Sequence, residues 1–160
     1  MFTIVSTRFN NETWEQNINF RKKYNYSGCI YGVPQPMSNK IKLNSPVFVV
    51  EMNNSINKIE GIGLLKNNIY LDKYYKVYNA GDYNRYTFKG KYRINRDELL
   101  NINSKLVELL DYILFKEKTH LKRGIGFTSI PDKLLNHEKC HEFDIKNEIK
   151  NLFVRFFTIV

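Results

Sequence analysis

Residues 45–65, SPVFVVEMNNSINKIEGIGLL, constrain the fold of this chain more than any other segment. An apolar, β-branched run from residue 47 to 52 is typical of a buried strand. The polar run 53–57 is typical of a turn, because asparagine tolerates the left-handed backbone and bonds to its own chain. Residues 58–66 return as an antiparallel strand containing Gly61 and Gly63. The segment predicts a β-hairpin. Its asparagines and glycines fit either plain turn chemistry or a ligand site.

Before the hairpin, FTIVS at residues 2–6 has the composition of a short strand. Asn10 or Asn11 is a suitable N-cap for a helix, which should end before residue 25. Residues 25–38 contain glycine and two prolines, so we predict a loop there.

After the hairpin, residues 68–78 (NIYLDKYYKVY) predict a third strand. Residues 83–96 show the most regular alternation, with aromatic and apolar residues on one face and cations on the other. We interpret them as one continuous strand with a bulge or bend at Gly90, because a two-residue hairpin turn there would mix the faces.

Two further helices follow. Asn95 is a candidate cap for the first, in which apolar residues recur at helical spacing from Leu99 through Ile102 to Ile113. Asp144 is a candidate cap for the second, which ends in an aromatic segment expected to dock on the core. The basic, glycine-containing segment between them predicts a loop or an edge strand.

The order of these elements predicts an α+β fold: a curved, mainly antiparallel sheet or partial β-barrel flanked by three helices. The 160 residues contain no repeats or proline-rich linkers. We therefore expect one domain spanning residues 1–160.

The charge balance favours a polyanionic partner. Lysine and arginine number 25 against 16 acidic residues, which gives a net charge of +9. Such an excess suits RNA or DNA, because cations displace counterions from phosphates, and it also suits an acidic protein surface. A compositional bias towards lysine, asparagine and isoleucine is the alternative explanation. Two cysteines, Cys29 and Cys140, imply no disulfide framework, and no apolar run approaches membrane-spanning length. We expect a soluble, intracellular protein with no membrane partner.

Two stretches resemble the PUA-like superfamily, and in particular its YTH and EVE domains. Residues 2–24 resemble the opening strand and helix of YTH domains, and residues 47–65 resemble their hydrophobic strand, Asn–Ser turn and glycine-containing strand. GCIYGVP at residues 28–34 is similar to EVE loops. Three further segments together resemble small uncharacterised proteins of large DNA viruses: GIGLLKN, NRYTFKGKYRI and KRGIGF. That likeness extends the expected location to the cytoplasm or nucleus of a host cell, or to a virion.

The resemblance implies a non-catalytic reader of RNA or DNA, since YTH domains bind methylated adenine in RNA through an aromatic cage and EVE domains are thought to read modified DNA bases. It implies a base pocket beside the first helix and residues 28–34. Tyr31 would form one stacking wall, and Asn53 or Asn54 would offer amide hydrogen bonds. YTH domains carry a tryptophan in the loop after their first helix. Here the only tryptophan, Trp14, lies in the predicted helix and is the fourth candidate for the base pocket, but methyl specificity does not carry over.

Five cations are candidate phosphate contacts: Arg85, Lys91, Arg93, Lys122 and Arg123. The first three share the basic face of the segment 83–96, close to tyrosines, and the last two precede Gly124, where phosphate could approach the backbone. A solvated strand face and a structural turn are the alternative readings.

The chain lacks the motifs of common enzymes: a nucleophile elbow, a His-Glu-x-x-His pair or a glycine-rich dinucleotide loop. Glu51 could be a perturbed carboxylate near a pocket, or simply part of an ion pair. HEKCH at residues 137–141 offers three potential metal ligands, fewer than a structural zinc site needs. We expect no catalytic residue, metal or cofactor. The alternatives are a structural or assembly protein, possibly viral, and a nuclease or base-processing enzyme.

Overall fold

The computed structural model describes residues 2–117 and 119–157. Within them, the main sheet has five strands in the order β6–β4–β3–β1–β7. Their bounds are Thr3–Phe9 (β1), Pro46–Asn53 (β3), Lys58–Lys66 (β4), Tyr92–Asn95 (β6) and Thr128–Ser129 (β7). A separate ribbon of two antiparallel strands consists of Cys29–Val33 (β2) and Tyr86–Gly90 (β5). The helices are Asn11–Lys23 (α1), Arg96–Asp111 (α2), the single turn Asp132–Leu135 (α3) and Ile145–Phe157 (α4).

The predicted hairpin is confirmed. Strands β3 and β4 pair antiparallel, and Asn57 in the turn between them has a φ of 54°. The register shifts after Glu51, because β4 contains a bulge at Glu60. The predicted α+β class is also confirmed. The sheet is mixed, since β1 pairs parallel to β3, and over the described residues its strands do not close into a barrel.

The predicted helix starts are confirmed as well. Asn10 and Asn95 each accept from the backbone N–H three residues on, and both form capping boxes. The Asp144 side chain accepts from the Asn147 N–H at the start of α4. One position of α2 was predicted wrongly: Ile102 is exposed, because Asn103 has a non-helical backbone (φ −153°, ψ 73°) that interrupts the periodicity.

Two elements differ from the sequence prediction. The segment 25–38, expected to be a loop, contains strand β2. The segment 68–78, expected to be a strand, is irregular. Its N–H groups at Val77 and Tyr78 donate to the buried Asn84 side chain, at 3.1 and 2.9 Å, instead of to a neighbouring strand. The Asn84 amide satisfies these two N–H groups, and the Tyr70 N–H donates to the Thr87 carbonyl of β5, so the segment contacts β5 without forming a strand.

Residues 83–96 form two strands and not one. Strand β5 pairs with β2, whereas β6 pairs with β4 in the main sheet. The change of partner falls at Gly90 and Lys91. A side chain at Gly90 would overlap the Leu64 carbonyl. The chain therefore passes so close to the β4 backbone at this position that only glycine fits.

The main sheet packs against different elements on its two sides. The side packed by α2 and α4 is called the helical face, and the side packed by α1, β2 and β5 is called the ribbon face. Alternate residues of β3 divide between them. Phe48 and Val50 belong to the helical face, and Val47 and Val49 to the ribbon face.

The C-terminal helix docks on the core through part of its predicted aromatic segment, since Phe153 is buried but Val154 and Phe156 are exposed. Ile149, Leu152 and Phe153 are buried in the helical face. Residues 158–160 of the predicted aromatic terminus lie outside the described residues. No helix in the described ranges combines the length and apolar character needed to cross a membrane.

Candidate functional site

A cavity of about 260 Å³ lies where β1, β2 and β3 end. The carboxyl end of β1 and the start of α1 supply one side, and Gly32, Val33 and the following proline supply another. Its lining residues are Thr7, Arg8, Phe9, Asn10, Thr13, Gly32, Val33, Pro34, Asn54, Tyr78, Tyr83, Gly124, Ile125 and Gly126. The cavity therefore lies beside the first helix and the GCIYGVP segment, the position that the resemblance implies.

Three aromatic rings line this cavity: Phe9, Tyr78 and Tyr83. The Tyr78 ring is tilted against Phe9 at 6.3 Å between centroids and meets Tyr83 edge-on at 6.5 Å. Tyr83 is 46% exposed, so it has a free face at the rim.

Tyr78 is fixed at both ends. Its backbone N–H and carbonyl bond to the Asn84 side chain at 2.9 and 2.6 Å. Its hydroxyl accepts from Asn17 Nδ2 at 3.0 Å, and that amide also donates to the Ile30 carbonyl. The ring is held in place without a ligand, which reduces the entropy that binding would cost.

A loop at residues 121–126 closes another side, and Arg8 holds it. The guanidinium donates to the Leu121 carbonyl at 2.9 Å, to the Gly126 carbonyl, and to Thr128 Oγ1 at 3.2 Å. Burial lowers the pKa of Arg8 to about 10, so it remains a cation at neutral pH. These acceptors are neutral, and Arg8 therefore gives the cavity wall a positive charge that they do not offset.

Asn54 contributes a side-chain amide to the cavity wall. Its Nδ2 donates to the Lys122 carbonyl at 2.9 Å, which fixes the amide orientation because a carbonyl can only accept. Its Oδ1 is buried and has no hydrogen-bond partner within the described residues. An unsatisfied buried acceptor costs roughly 1–3 kcal/mol, so contact with a donor would be favourable here.

The other predicted base-pocket residues lie elsewhere. Tyr31 is 1% exposed, and its hydroxyl donates to Glu51 Oε2 at 2.6 Å in the interior. Asn53 is buried, and both atoms of its amide are occupied: Nδ2 donates to Asn11 and Glu60, and Oδ1 accepts from Ser55. Trp14 does not line the cavity but packs edge-on against Phe9, at 5.0 Å. Of the four, only Asn54 lines the cavity.

Arg93 is likewise an interior residue. Its side chain is 7% exposed and donates twice to the Glu51 carboxylate, at 2.6 and 2.9 Å. Its guanidinium also lies over the Trp14 ring, at 5.2 Å. Tyr31, Glu51 and Arg93 form what we call the buried polar cluster. Glu51 is thus a partner in an ion pair and not a carboxylate facing a pocket.

The two glycines of the hairpin make room for this cluster. A Cβ at Gly61 would lie 2.6 Å from Arg93 Nη2 and 2.9 Å from Glu51 Oε1. At Gly63 it would overlap the Tyr31 hydroxyl and lie 2.7 Å from the Cys29 thiol. Gly61 and Gly63 therefore allow the strand to pack closely beneath the ribbon. Neither a turn nor a bend in the chain would by itself require glycine at these two positions.

Burial, assisted by the Glu51 charge, suppresses the ionisation of the thiol and phenol groups in this region. Burial raises the pKa of the Cys29 thiol to about 12, and the Glu51 charge acts in the same direction. Burial, followed by Glu51, also raises the pKa of Tyr31 well above its usual value. Burial lowers the pKa of Arg93, but the charge and the hydrogen bonds of the adjacent Glu51 carboxylate raise it by a larger amount. The pKa of Arg93 therefore lies above its usual value. Cys29 is therefore a buried neutral thiol, not a nucleophile.

The remaining four predicted cations are exposed. Lys122 and Arg123 immediately precede the cavity residue Gly124, and Lys122 Nζ donates to Asn57 Oδ1 at 2.7 Å. Arg85 is two residues beyond the rim residue Tyr83. Lys91 lies at the passage between β5 and β6, apart from the residues that line the cavity.

The HEKCH segment is a one-turn 3-10 helix with flanking histidines. His137 contacts Glu117 at 3.1 Å, Cys140 is buried and His141 is exposed. The part of the chain that the structure describes contains no group of three histidine, cysteine or acidic side chains suited to a metal ion.

Comparison of the chain with protein-family profiles, with curated proteins and with solved structures gives no match.

The sequence analysis did not single out the cavity residues Arg8, Phe9 and Tyr78, whereas Tyr83 is one of the tyrosines that it placed beside the basic segment 83–96. Arg8 and Phe9 carried a usable signal, because they immediately precede the N-cap that ends the first strand. Tyr78 carried none, since its place depends on Asn84 and Asn17, which no sequence pattern connects to it.

Proposed function

We propose that this chain is a non-catalytic nucleic-acid-binding module with a PUA-like fold, and that its cavity receives a single base of RNA or DNA. The observation that carries the proposal is the cavity itself. It combines aromatic rings, a side-chain amide and a cationic rim at the joint end of three strands. A mostly preformed concavity with a few directed polar groups is the usual form of a small-ligand site.

The aromatic groups suit a planar ligand. A base entering past Tyr83 would stack on a ring that is already held at its inner side by Tyr78. Stacking of this kind is worth roughly 1–3 kcal/mol per base and tolerates any base, since each has a π-face. Selectivity would come from Asn54, whose Nδ2 is engaged by the Lys122 carbonyl, after a reorientation that brings its buried, unsatisfied Oδ1 to a donor on the base edge.

The charges suit the backbone on either side of that base. Arg85 follows one rim residue, and Lys122 and Arg123 precede another. Arg8 adds positive charge from the wall. Phosphate contacts by such groups make affinity fall with salt. We therefore retain Arg85, Lys122 and Arg123 as phosphate contacts and omit Lys91 and Arg93 from the site.

The chain carries its own reporter for a binding experiment. Trp14 is the only tryptophan, and its ring packs against the cavity residue Phe9. Nucleoside monophosphates and short single-stranded RNA and DNA should change its fluorescence in a saturable way. Pairs of oligonucleotides with and without one methylated base test whether the site reads modification.

Tyr83→Ala tests the stacking wall. The side chain is half-exposed, so the variant should fold, but affinity should fall about fivefold or more. Tyr24→Ala removes a tyrosine of similar exposure from the far end of α1 and should bind like the parent protein. Equal affinity for parent and Tyr83→Ala, or no binding of any nucleotide, would overturn the proposal.

A further inference from the structure

The irregular segment at residues 68–78 presents an organised surface. Tyr75, Val77 and Tyr78 are buried, whereas Leu71 and Tyr74 are 87% and 66% exposed. Single exposed apolar side chains are common on protein surfaces, but these two lie three residues apart on an anchored segment that also carries exposed cations, which makes the segment a candidate for contact with a partner.

The anchoring comes from Lys89 of β5. Its ammonium lies 4.5 Å from the ring centroid of Tyr70, 4.9 Å from that of Tyr75 and 6.0 Å from that of Tyr26. It also donates to the Tyr75 hydroxyl at 2.9 Å, and that hydroxyl donates to Asp72. A cation enclosed by three rings fixes the segment to the ribbon beneath it.

The exposed residues of the segment include both cations and an aromatic ring. Lys73 and Lys76 are exposed, and Tyr74 stands between them. The one acidic side chain in this stretch, Asp72, is engaged by the Tyr75 hydroxyl. Cations beside an exposed ring are the arrangement that binds single-stranded nucleic acid without sequence preference.

This surface adjoins the cavity. Lys76 is two residues from Tyr78, whose ring lines the cavity, so their Cα atoms are at most about 7 Å apart. Tyr74 is four residues from Tyr78, at most about 14 Å away. A strand with one base in the cavity could reach these residues with its adjoining nucleotides.

We propose that Lys73, Tyr74 and Lys76 bind the single-stranded flank of the nucleic acid whose base occupies the cavity. Tyr74 stacks on a neighbouring base, and the two lysines contact phosphates. This inference rests on the proposed function and names its substrate class: a single strand, because bases inside a duplex are already stacked and offer Tyr74 no free face.

Three probes separate this surface from the cavity: nucleoside monophosphates, an eight-nucleotide single strand of mixed sequence as RNA and as DNA, and the same sequence as a duplex. Tyr74→Ala should weaken single-strand binding about fivefold or more and leave monophosphate binding unchanged. The double variant Lys73→Gln/Lys76→Gln should lower the logarithmic salt slope for the single strand by about 1.4.

Matched controls are Tyr24→Ala and Lys133→Gln/Lys150→Gln, which alter an exposed tyrosine and two exposed lysines away from this segment. Single-strand affinity unchanged in Tyr74→Ala, or equal affinity for duplex and single strand, overturns the inference even if Tyr83→Ala loses monophosphate binding. If single-strand binding depends on Tyr74 but not on Tyr83, these residues bind a strand on their own, and the proposal that its base occupies the cavity is wrong. Tyr74-dependent capture of a protein and not of any strand overturns both.

Discussion

The two faces of the main sheet are built from different chemistry. The helical face is an apolar core in which Leu99, Leu110, Ile149 and their neighbours are completely buried. The ribbon face encloses charge: Glu51 is 0% exposed and its ion pair with Arg93 lies under the two-stranded ribbon. The cavity also opens on this side, since the ribbon-face residues Phe9, Val33 and Tyr78 line it.

The two faces are stabilised by different interactions. Apolar packing of α2 and α4 is non-directional and depends on area and volume. The ribbon face depends on satisfied polar groups, and a partly satisfied network is costly in the interior. Directional bonds also fix side chains, and Tyr78 at the cavity is held in this way.

The largest expected effect is on the buried polar cluster. Glu51→Ala should lower the free energy of unfolding by about 3–5 kcal/mol, because it leaves Arg93 charged and unpaired and the Tyr31 hydroxyl without its acceptor. Leu110→Ala on the helical face should cost a comparable 2–5 kcal/mol by leaving a cavity. Urea unfolding measures both.

The double variant Glu51→Leu/Arg93→Met distinguishes the two faces. Removing both charges should restore much of the stability lost in Glu51→Ala, because no buried ion remains unpaired. If the double variant is as unstable as Glu51→Ala, the stability of the ribbon face depends on packing volume, as that of the helical face does. The two faces would then not differ in what stabilises them.

A smaller loss is expected from Gly63→Ala. The new methyl would overlap the Tyr31 hydroxyl and crowd the Cys29 thiol, and overpacking of this kind costs about 1–3 kcal/mol. Gly81→Ala is the matched control, because a Cβ there meets no atom within 4 Å. Thermal unfolding of Gly63→Ala and Gly81→Ala measures the difference. Equal midpoints would show that the ribbon is not tightly packed against β4 at Gly63.

Alkaline pH should destabilise the ribbon face. The unfolded Cys29 thiol ionises near pH 9, whereas its native pKa is about 12. Between these values the unfolded chain binds fewer protons, so stability is full below pH 9 and falls as pH rises, by up to about 1.4 kcal/mol per pH unit. The raised pKa values of Tyr31 and Tyr78 act with the same sign.

Unfolding free energies of the parent protein and Cys29→Ala from pH 8 to 10.5 test this dependence. The alkaline decline should be shallower in Cys29→Ala. Cys140→Ala, on the helical face, should make the decline shallower by a smaller amount, because burial raises the pKa of that thiol less than it raises the pKa of Cys29. Parallel curves for parent and Cys29→Ala would mean that the thiol ionises freely in the native state.

The smallest effects are expected at the two helix caps. Asn10→Ala and Asn95→Ala should each cost about 1 kcal/mol, because each removes one capping box. The two losses should be alike, since capping is local. Only Asn10 lines the cavity, so only Asn10→Ala should also weaken nucleotide binding. A binding defect in Asn95→Ala would contradict the placement of the site.

Local patterns predicted much of the fold. The hairpin, three helix N-caps and the α+β class follow from spacing and capping chemistry within a few residues. The predictions for residues 68–78 and 83–96 were wrong because neither composition nor alternation shows which partner a strand-like segment will have. Asn84 satisfies the first segment, and β2 and β4 divide the second.

The candidate site was predicted only in outline. Its position beside the first helix and GCIYGVP agrees with the cavity, and Asn54 lines it. The sequence could not show that Tyr31 and Arg93 turn inward, because their pairing with Glu51 joins residues from three strands. An exposed cation and a buried one look the same in an alternating segment.

The sequence by itself therefore determined which segments could be helices and strands, and the excess of positive charge. The tertiary structure alone decided that Gly61 and Gly63 accommodate a buried ion pair, that Tyr78 and Tyr83 line a cavity, and which cations remain exposed. The physical reason is range. Capping and turn formation involve neighbouring residues, whereas burial and ion pairing depend on contacts between residues that are distant in the chain.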